Sequence, residues 1–304
     1  MSRRVRLVVN PSSGKGRALE QLPAVAGCLS DGGLELSIQL SRDFDEARAM
    51  AERAVAEGVD VLAVMGGDGM MHLGVNTVAA AHRAGDRRTT LGVIPAGTGN
   101  DLCRGIGVDP TDAVAAAGVI AAGHIRQVDL TQIGDTFVGT VLATGFDALV
   151  NRRANAMVWP RGSSRYTLAT LAELRVFAPL LYRLRLDGEV RQQRAMLVAV
   201  GNTGYYGGGM NICPEADPYD GWLDVTIIHP VGRLTLLRLL PEMFSGRFAR
   251  DSCVEQLRVQ EVTVEGPGLV GFGDGEMIGA APFTACLAPG LLPVFVPSGA
   301  GHER

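Results

Sequence analysis

Three glycine-rich turns, each placed directly after a short apolar run, constrain this chain more than any other feature. Asn10-Pro11-Ser12-Ser13-Gly14-Lys15-Gly16 follows Val5 to Val9, Gly66-Gly67-Asp68-Gly69 follows Val59 to Met65, and Pro95-Ala96-Gly97-Thr98-Gly99-Asn100-Asp101 follows Leu91 to Ile94. Together with Leu34 to Leu40 these runs read as strands. Ala18 to Leu29, Asp45 to Glu57 and Met70 to Ala84 lie between them with apolar residues at helical spacing. This alternation specifies a parallel sheet, and runs apolar on both faces, such as Val61 to Val64, specify helices on both sides of it. The first part of the chain is therefore doubly wound α/β. All three turns open at the carboxyl edge of one sheet, where glycines let backbone N–H groups approach phosphates beside helix N-termini.

After about Val128 the rhythm changes. Thr136 to Thr144, Leu184 to Leu186, Met196 to Val200, Leu223 to Ile228, Leu257 to Val264 and Phe283 to Leu287 are β-rich, with helical patches at Arg165 to Phe177 and Leu234 to Phe244. A mostly antiparallel second domain follows from this, over residues 129–289, after an α/β domain over 1–128 that the segment 290–304 is a candidate to complete. The Gly-rich tail Ser298 to Arg304 reads as loose.

Composition narrows the function classes. With 47% apolar residues and 28 Lys plus Arg against 32 Asp plus Glu, the net charge of −4 suits a globular protein. Residues 1–130 carry 13 basic and 15 acidic side chains, so neither half has the basic excess of a nucleic-acid module, and no nucleic-acid partner is expected. The apolar stretch at the N-terminus stops at Asn10, too short for a signal-peptide core, and no run reaches the roughly 18 residues a spanning helix needs. Five widely spaced cysteines without a CxxC pair read as reduced, buried thiols, and a cytoplasmic location is expected.

The turns match neither common nucleotide fingerprint. No GxxxxGK[ST] is present, and the formal GxGxxG at Gly266, Gly268 and Gly271 holds Pro267 and lies in the β-rich half, without a strand-turn-helix context. Lys15 is the only lysine in the chain and sits in the first turn. The ordered set NPSSGKG, GGDG, GTGND, then Pro214 to Asp224 (PEADPYDGWLD) and Asp274-Gly275-Glu276, resembles the bacterial diacylglycerol kinase and lipid kinase family, related to sphingosine kinases. The resemblance spans nearly the whole chain. It implies ATP- and Mg²⁺-dependent phosphoryl transfer to a lipid hydroxyl, with an active site in the cleft between an α/β domain and a β-sandwich domain.

Carried over residue by residue, the resemblance assigns Asn10, Pro11, Ser12, Ser13, Gly14, Gly66, Gly67, Asp68, Gly69 and Thr98 to the nucleotide, with Ser41 standing where the family often has Thr. Asp68 acts beside the phosphates and Glu276 matches the general base, a role that suits a carboxylate if a partly desolvated cleft or nearby acids such as Asp274 raise its pKa. Asp217, Asp220 and Trp222 align with a second Mg²⁺ site. The chain also departs from the pattern: many members continue GGDG with Thr-Leu-Asn-Glu, whereas Met70-Met71-His72-Leu73 stands here, with Asn76 again matching.

A lipid substrate calls for contact with a bilayer. Between Ala148 and Leu186 there are seven Arg and one acid, Glu173, so this stretch, with Trp159, is expected to dock peripherally on anionic lipid. A homodimer is left open. The rival readings are a soluble-substrate kinase of the NAD kinase type and a non-catalytic nucleotide- or lipid-binding protein.

Overall fold

The computed structural model describes residues 2–86, 88–145 and 178–299. Strands β1 (Arg4–Val9), β2 (Glu35–Leu40), β3 (Val61–Gly66) and β4 (Thr90–Pro95) pair in parallel in the order β2-β1-β3-β4. Helices α1 (Arg17–Asp31), α2 (Phe44–Ala56) and α3 (Asp68–Arg83) connect them, and α4 (Asp101–Gly105) and α5 (Ala113–Ala122) follow β4. The central strand β3 is buried at every position, whereas the edge strand β2 exposes Glu35, Ser37 and Gln39's neighbour Leu40. One core forms under α2 and α3, from residues such as Ala51, Val64, Val75 and Leu91. The other lies under α1 and α5, around Leu7, Leu29, Met65 and Ile120. Local chemistry sets the helix starts: Asp43 accepts from the Glu46 N–H at 2.8 Å, and Asp112 accepts from Val114 and Ala115 at 2.9 Å.

The remaining strands are β5 (Ile125–Ile133), β6 (Thr136–Val138), β7 (Val141–Gly145), β8 (Leu180–Leu186), β9 (Glu189–Ala195), β10 (Leu197–Gly201), β11 (Tyr205–Tyr206), β12 (Met210–Asn211) and β13 (Leu223–Ile228), then β14 (Val254–Val259), β15 (Glu261–Glu265), β16 (Val270–Gly273), β17 (Glu276–Ala280) and β18 (Phe283–Phe295). Helix α6 (Arg233–Met243) lies between β13 and β14. A six-stranded sheet runs β14-β13-β10-β7-β16-β17, and its pairings are antiparallel. It faces β8 and β15 across a core of Tyr182, Leu184, Val262, Leu142, Val198 and Val225, so the second part is a two-sheet packing.

The parallel sheet does not stop at β4. Strand β18 pairs with β15 near its start and meets β4 near its end, with Val294 beside Leu91, so that one ten-stranded sheet runs through both parts. Three readings from the sequence are corrected here. Thr136 to Thr144 is β6 and β7, strands of different sheets parted at Gly139-Thr140. Leu257 to Val264 is two strands in different sheets, broken at Gln260, where the Asp187 carboxylate accepts the Gln260 and Glu261 N–H groups at 3.0 and 2.8 Å. The strand starting at Phe283 runs to Phe295, through an irregularity between Ala288 and Leu292 where the Gly290 N–H donates to Asp129. All five thiols are free, but only Cys103 and Cys213 are buried; Cys28, Cys253 and Cys286 are half-buried. Among the described residues no helix is long and apolar enough to cross a membrane.

Asn76 fastens α3 to the β6 edge. Its Nδ2 donates to the Phe137 carbonyl and its Oδ1 accepts the Phe137 N–H, both at 2.8 Å, so one amide replaces a missing sheet neighbour. Asn76→Ala strands both backbone groups and is expected to cost about 1–3 kcal/mol of unfolding free energy. Urea denaturation checks this, and an unchanged midpoint would contradict it.

Candidate active site

The three turns converge above the carboxyl ends of β1, β3 and β4. A Cβ on Gly14 would lie 2.3 Å from the Ala96 carbonyl oxygen, and one on Gly97 would lie 2.4 Å from Gly67 Cα. Backbones this close leave no room for side chains, and Gly14 also sits at φ +60, which glycine adopts at least cost. Arg17 ties the first turn to the third, donating to the carbonyls of Ala96 and Gly97. Asn10 closes its own turn by accepting from the Ser12 N–H at 3.0 Å and the Ser12 hydroxyl at 2.8 Å. Lys15 is exposed and left-handed at φ 62. Thr98 is exposed at the crest of the third turn. Ser41 is buried, its hydroxyl donating to the Val9 carbonyl at 3.2 Å, so it braces the end of β1.

Asp68 opens α3, and its Oδ1 accepts the Asp101 N–H at 2.8 Å. Its other oxygen lies over Gly99, where a Cβ would come within 2.1 Å of it. Asp101 opens α4 and is buried. It accepts from the Gly208 N–H at 2.7 Å and lies 3.3 Å from the Arg104 guanidinium, which also donates to the Gly99 carbonyl. Burial pushes the Asp68 carboxyl up, against backbone N–H bonds that draw it down. Burial, and then the charge of Asp68, push Asp101 up to about 6.

Across the cleft, the turn between β16 and β17 carries Asp274 and Glu276. Asp274 sits at φ +51 with its side chain 6% exposed. His72 Nδ1 lies 2.9 Å from its Oδ2, the Gly139 N–H donates to the same oxygen, and the Thr140 N–H and hydroxyl donate to Oδ1. That carboxylate therefore joins α3, the bend between β6 and β7, and the hairpin. Two residues further on, the Glu276 carboxylate reaches the GGDG turn: a Cβ on Gly69 would lie 3.6 Å from its Oε1. Asp274 is bound on both oxygens, whereas Glu276 is exposed.

The donors differ in their fit to Mg²⁺. This ion commonly takes one or two carboxylates and completes its shell with phosphate oxygens and water. Asp68 and Asp101, two adjoining carboxylates whose ionisation is resisted by burial, have the chemistry for that. Asp217, Asp220 and Trp222 share one loop, where the resemblance implies the Asp220 carboxylate and the backbone carbonyls of the other two as donors. The Asp217 carbonyl accepts the Asp220 N–H, while the Asp220 carboxylate accepts the Trp222 N–H at 3.1 Å and pairs with the Arg258 guanidinium. Among the described residues no cluster of three or more carboxylate, His or Cys side chains is placed to hold a metal.

Sequence reasoning passed over three participants. Asp101 stood inside the GTGND motif without a role, and His72, a lone histidine in a departing stretch, suggested at most a structural part or a hydrogen bond near the phosphates, whereas it bonds Asp274. The third is the Gly207-Gly208-Gly209 turn that reaches Asp101, for which the run of three glycines was the available signal. The arginine-rich stretch proposed to dock on lipid falls largely on residues 146–177, outside the described residues; within the described part, Arg183 pairs with Glu265 at 3.0 Å.

Two pH dependences follow. Burial resists charging of His72, but the bond to Asp274 and its charge outweigh this and raise the ring above the usual histidine range, with Glu276 adding and Arg48 opposing. Burial likewise works against the Asp274 carboxylate, yet His72, Thr140 and Gly139 hold it below its usual range. The pair thus contributes fully between about pH 4 and 6.5, and is lost as pH rises through the raised His72 value or falls through the lowered Asp274 value. His72→Gln is expected to lose about 1–3 kcal/mol near pH 5.5 and progressively less above it; a gap independent of pH would contradict the pairing. Asp101 binds its proton more tightly folded than unfolded, so its ionisation costs stability as pH rises from about 4 to 6. Asp101→Asn is expected to be more stable than wild type by about 1–3 kcal/mol at pH 7 and not at about pH 4. Equal stability at pH 7 would count against it.

Comparison with known proteins identifies the family and the fold. Residues 4–133 match the diacylglycerol kinase catalytic domain, and residues 140–296 match the YegS C-terminal NAD kinase beta sandwich-like domain. A diacylglycerol kinase of Mycobacterium tuberculosis is 38% identical over 300 residues, covering 97% of this chain and 95% of the relative. One of Bacillus subtilis is 27% identical over 263 residues, covering 86% of each. The crystal structure of a diacylglycerol kinase from Bacillus anthracis str. Sterne superposes with a TM-score of 0.78 at 24% identity, covering 97% of each chain, and so shares the fold. An α/β domain with convergent glycine turns, facing an antiparallel two-sheet domain, and a close relative over nearly the full length place this chain in the diacylglycerol kinase family, a family of kinases.

Proposed function

We propose that the protein transfers the γ-phosphoryl group of ATP to the hydroxyl of a membrane lipid, diacylglycerol giving phosphatidic acid, with Mg²⁺ as the accompanying ion. The observation that carries this reading is the position of Glu276 opposite Gly69, a carboxylate base facing a turn built for phosphates. Phosphoryl transfer asks a protein mainly for positioning and charge compensation. The turns at Asn10 to Gly14, Gly66 to Gly69 and Thr98 offer N–H groups to the phosphate oxygens. Asp68 and Asp101 would hold Mg²⁺, which when bound neutralises charge gathering on the transferred group. Glu276 takes the proton from the lipid hydroxyl as its oxygen bonds to phosphorus; the bond from phosphorus to the oxygen bridging the β- and γ-phosphates breaks, and ADP departs with that oxygen.

Diacylglycerol is the acceptor favoured by relatives 38% and 27% identical that bear the name diacylglycerol kinase. Such a substrate resides in a bilayer, and peripheral contact with an anionic surface belongs to the same reading. Glu276→Gln removes the base but not the volume. Its kcat is expected to fall by roughly 10²- to 10⁴-fold with ATP affinity nearly unchanged. Retained turnover would remove Glu276 from the base role.

A further inference from the structure

Helix α6 buries one stripe and leaves another apolar. Leu236, Leu239 and Met243 are buried, while Leu234 is 84% exposed, Leu237 42% and Phe244 57%. Spacings of three, four and three place Leu234, Leu237, Pro241 and Phe244 on one outward face. An outward apolar stripe adds nothing to folding and is costly to leave in water, so it calls for an occupant. The charges around it identify one. Between Gly232 and Asp251 stand Arg233, Arg238, Arg247 and Arg250 against Glu242 and Asp251, a local +2 on a chain of −4. Asp251 is taken by Arg238, and among the described residues Arg233, Arg247 and Arg250 make no ion pair.

We propose that this face of α6, with the turn of Arg247–Arg250 after it, seats on an anionic lipid surface: the leucines and Phe244 enter the hydrocarbon boundary while the arginines lie at phosphate level. The pattern of apolar body and cationic rim is complementary to lipid phosphates over acyl chains. A second copy would bring the same cationic rim against itself. The proposal rests on the lipid-kinase reading and adds the surface by which the substrate's bilayer is met. That surface connects to the site. The inner side of the α6 region, through Met243 and Phe248, shares a core with Tyr206, Ile212 and Cys213, and the Tyr205–Asn211 hairpin between them donates from Gly208 to Asp101.

The test is co-sedimentation of the full chain with vesicles of phosphatidylcholine containing about a third phosphatidylglycerol, alongside phosphatidylcholine alone. Wild type is expected to pellet with the anionic vesicles and to be released by salt. Leu234→Glu with Phe244→Glu is expected to weaken binding at least about tenfold, leaving turnover of a water-dispersed short-chain diacylglycerol unchanged. Arg233→Gln with Arg250→Gln, which alters no apolar contact, should weaken anionic binding alone and guards against misfolding of the first variant. Wild type that fails to pellet, or variants that pellet like wild type, would overturn the proposal. So would light scattering that shows a dimer in wild type and a monomer in the first variant. Failure of the kinase reading is seen separately, as absent turnover of the short-chain lipid by wild type whatever its vesicle binding.

Discussion

The Asp274 carboxylate is the contact on which the arrangement depends. It is buried, sits on a left-handed turn residue and accepts from His72, Gly139 and Thr140. A buried carboxylate is tolerated only when hydrogen bonds replace its lost hydration, and here those bonds come from a helix of the α/β part and a bend of the antiparallel part. The cost of burial is thereby turned into a geometric constraint: the hairpin sits correctly only when both donors are in place. Glu276, two residues beyond, inherits its position from that lock.

The opposite wall is built by a different means. Glycine backbones at near contact distance bring three turns together, and the proximity forces Asp68 and Asp101 against one another at two helix starts. Each carboxyl is pushed up by burial. Two carboxyls that resist ionisation are held together there at some expense to stability, and positive charge brought beside them would relieve it. The continuous sheet supports both walls, since β18 carries pairing from β15 across to β4.

Much of this was legible in the residues. The parallel strands announced themselves as short runs apolar on both faces, punctuated by glycine turns, because burial and turn chemistry are local. What escaped was non-local. Gln260 divides two strands because Asp187 claims the neighbouring N–H groups, and nothing near Gln260 says so. Pro289-Gly290 reads as the end of a strand, but Asp129 holds the Gly290 N–H and the strand continues. His72 looked like a lone histidine because its partner lies 202 residues away. Arg258, from β14, pairs with the Asp220 carboxylate, a partner that nothing near Asp220 in the sequence announces.

The most direct measurement is the fate of the γ-phosphate: labelled ATP with Mg²⁺, offered diacylglycerol in mixed micelles and NAD in parallel. Label in the organic phase, dependent on diacylglycerol, is the expected result. Label transferred to NAD, or ATP bound with no label transferred to either acceptor, would contradict the assignment of this cleft to lipid phosphorylation.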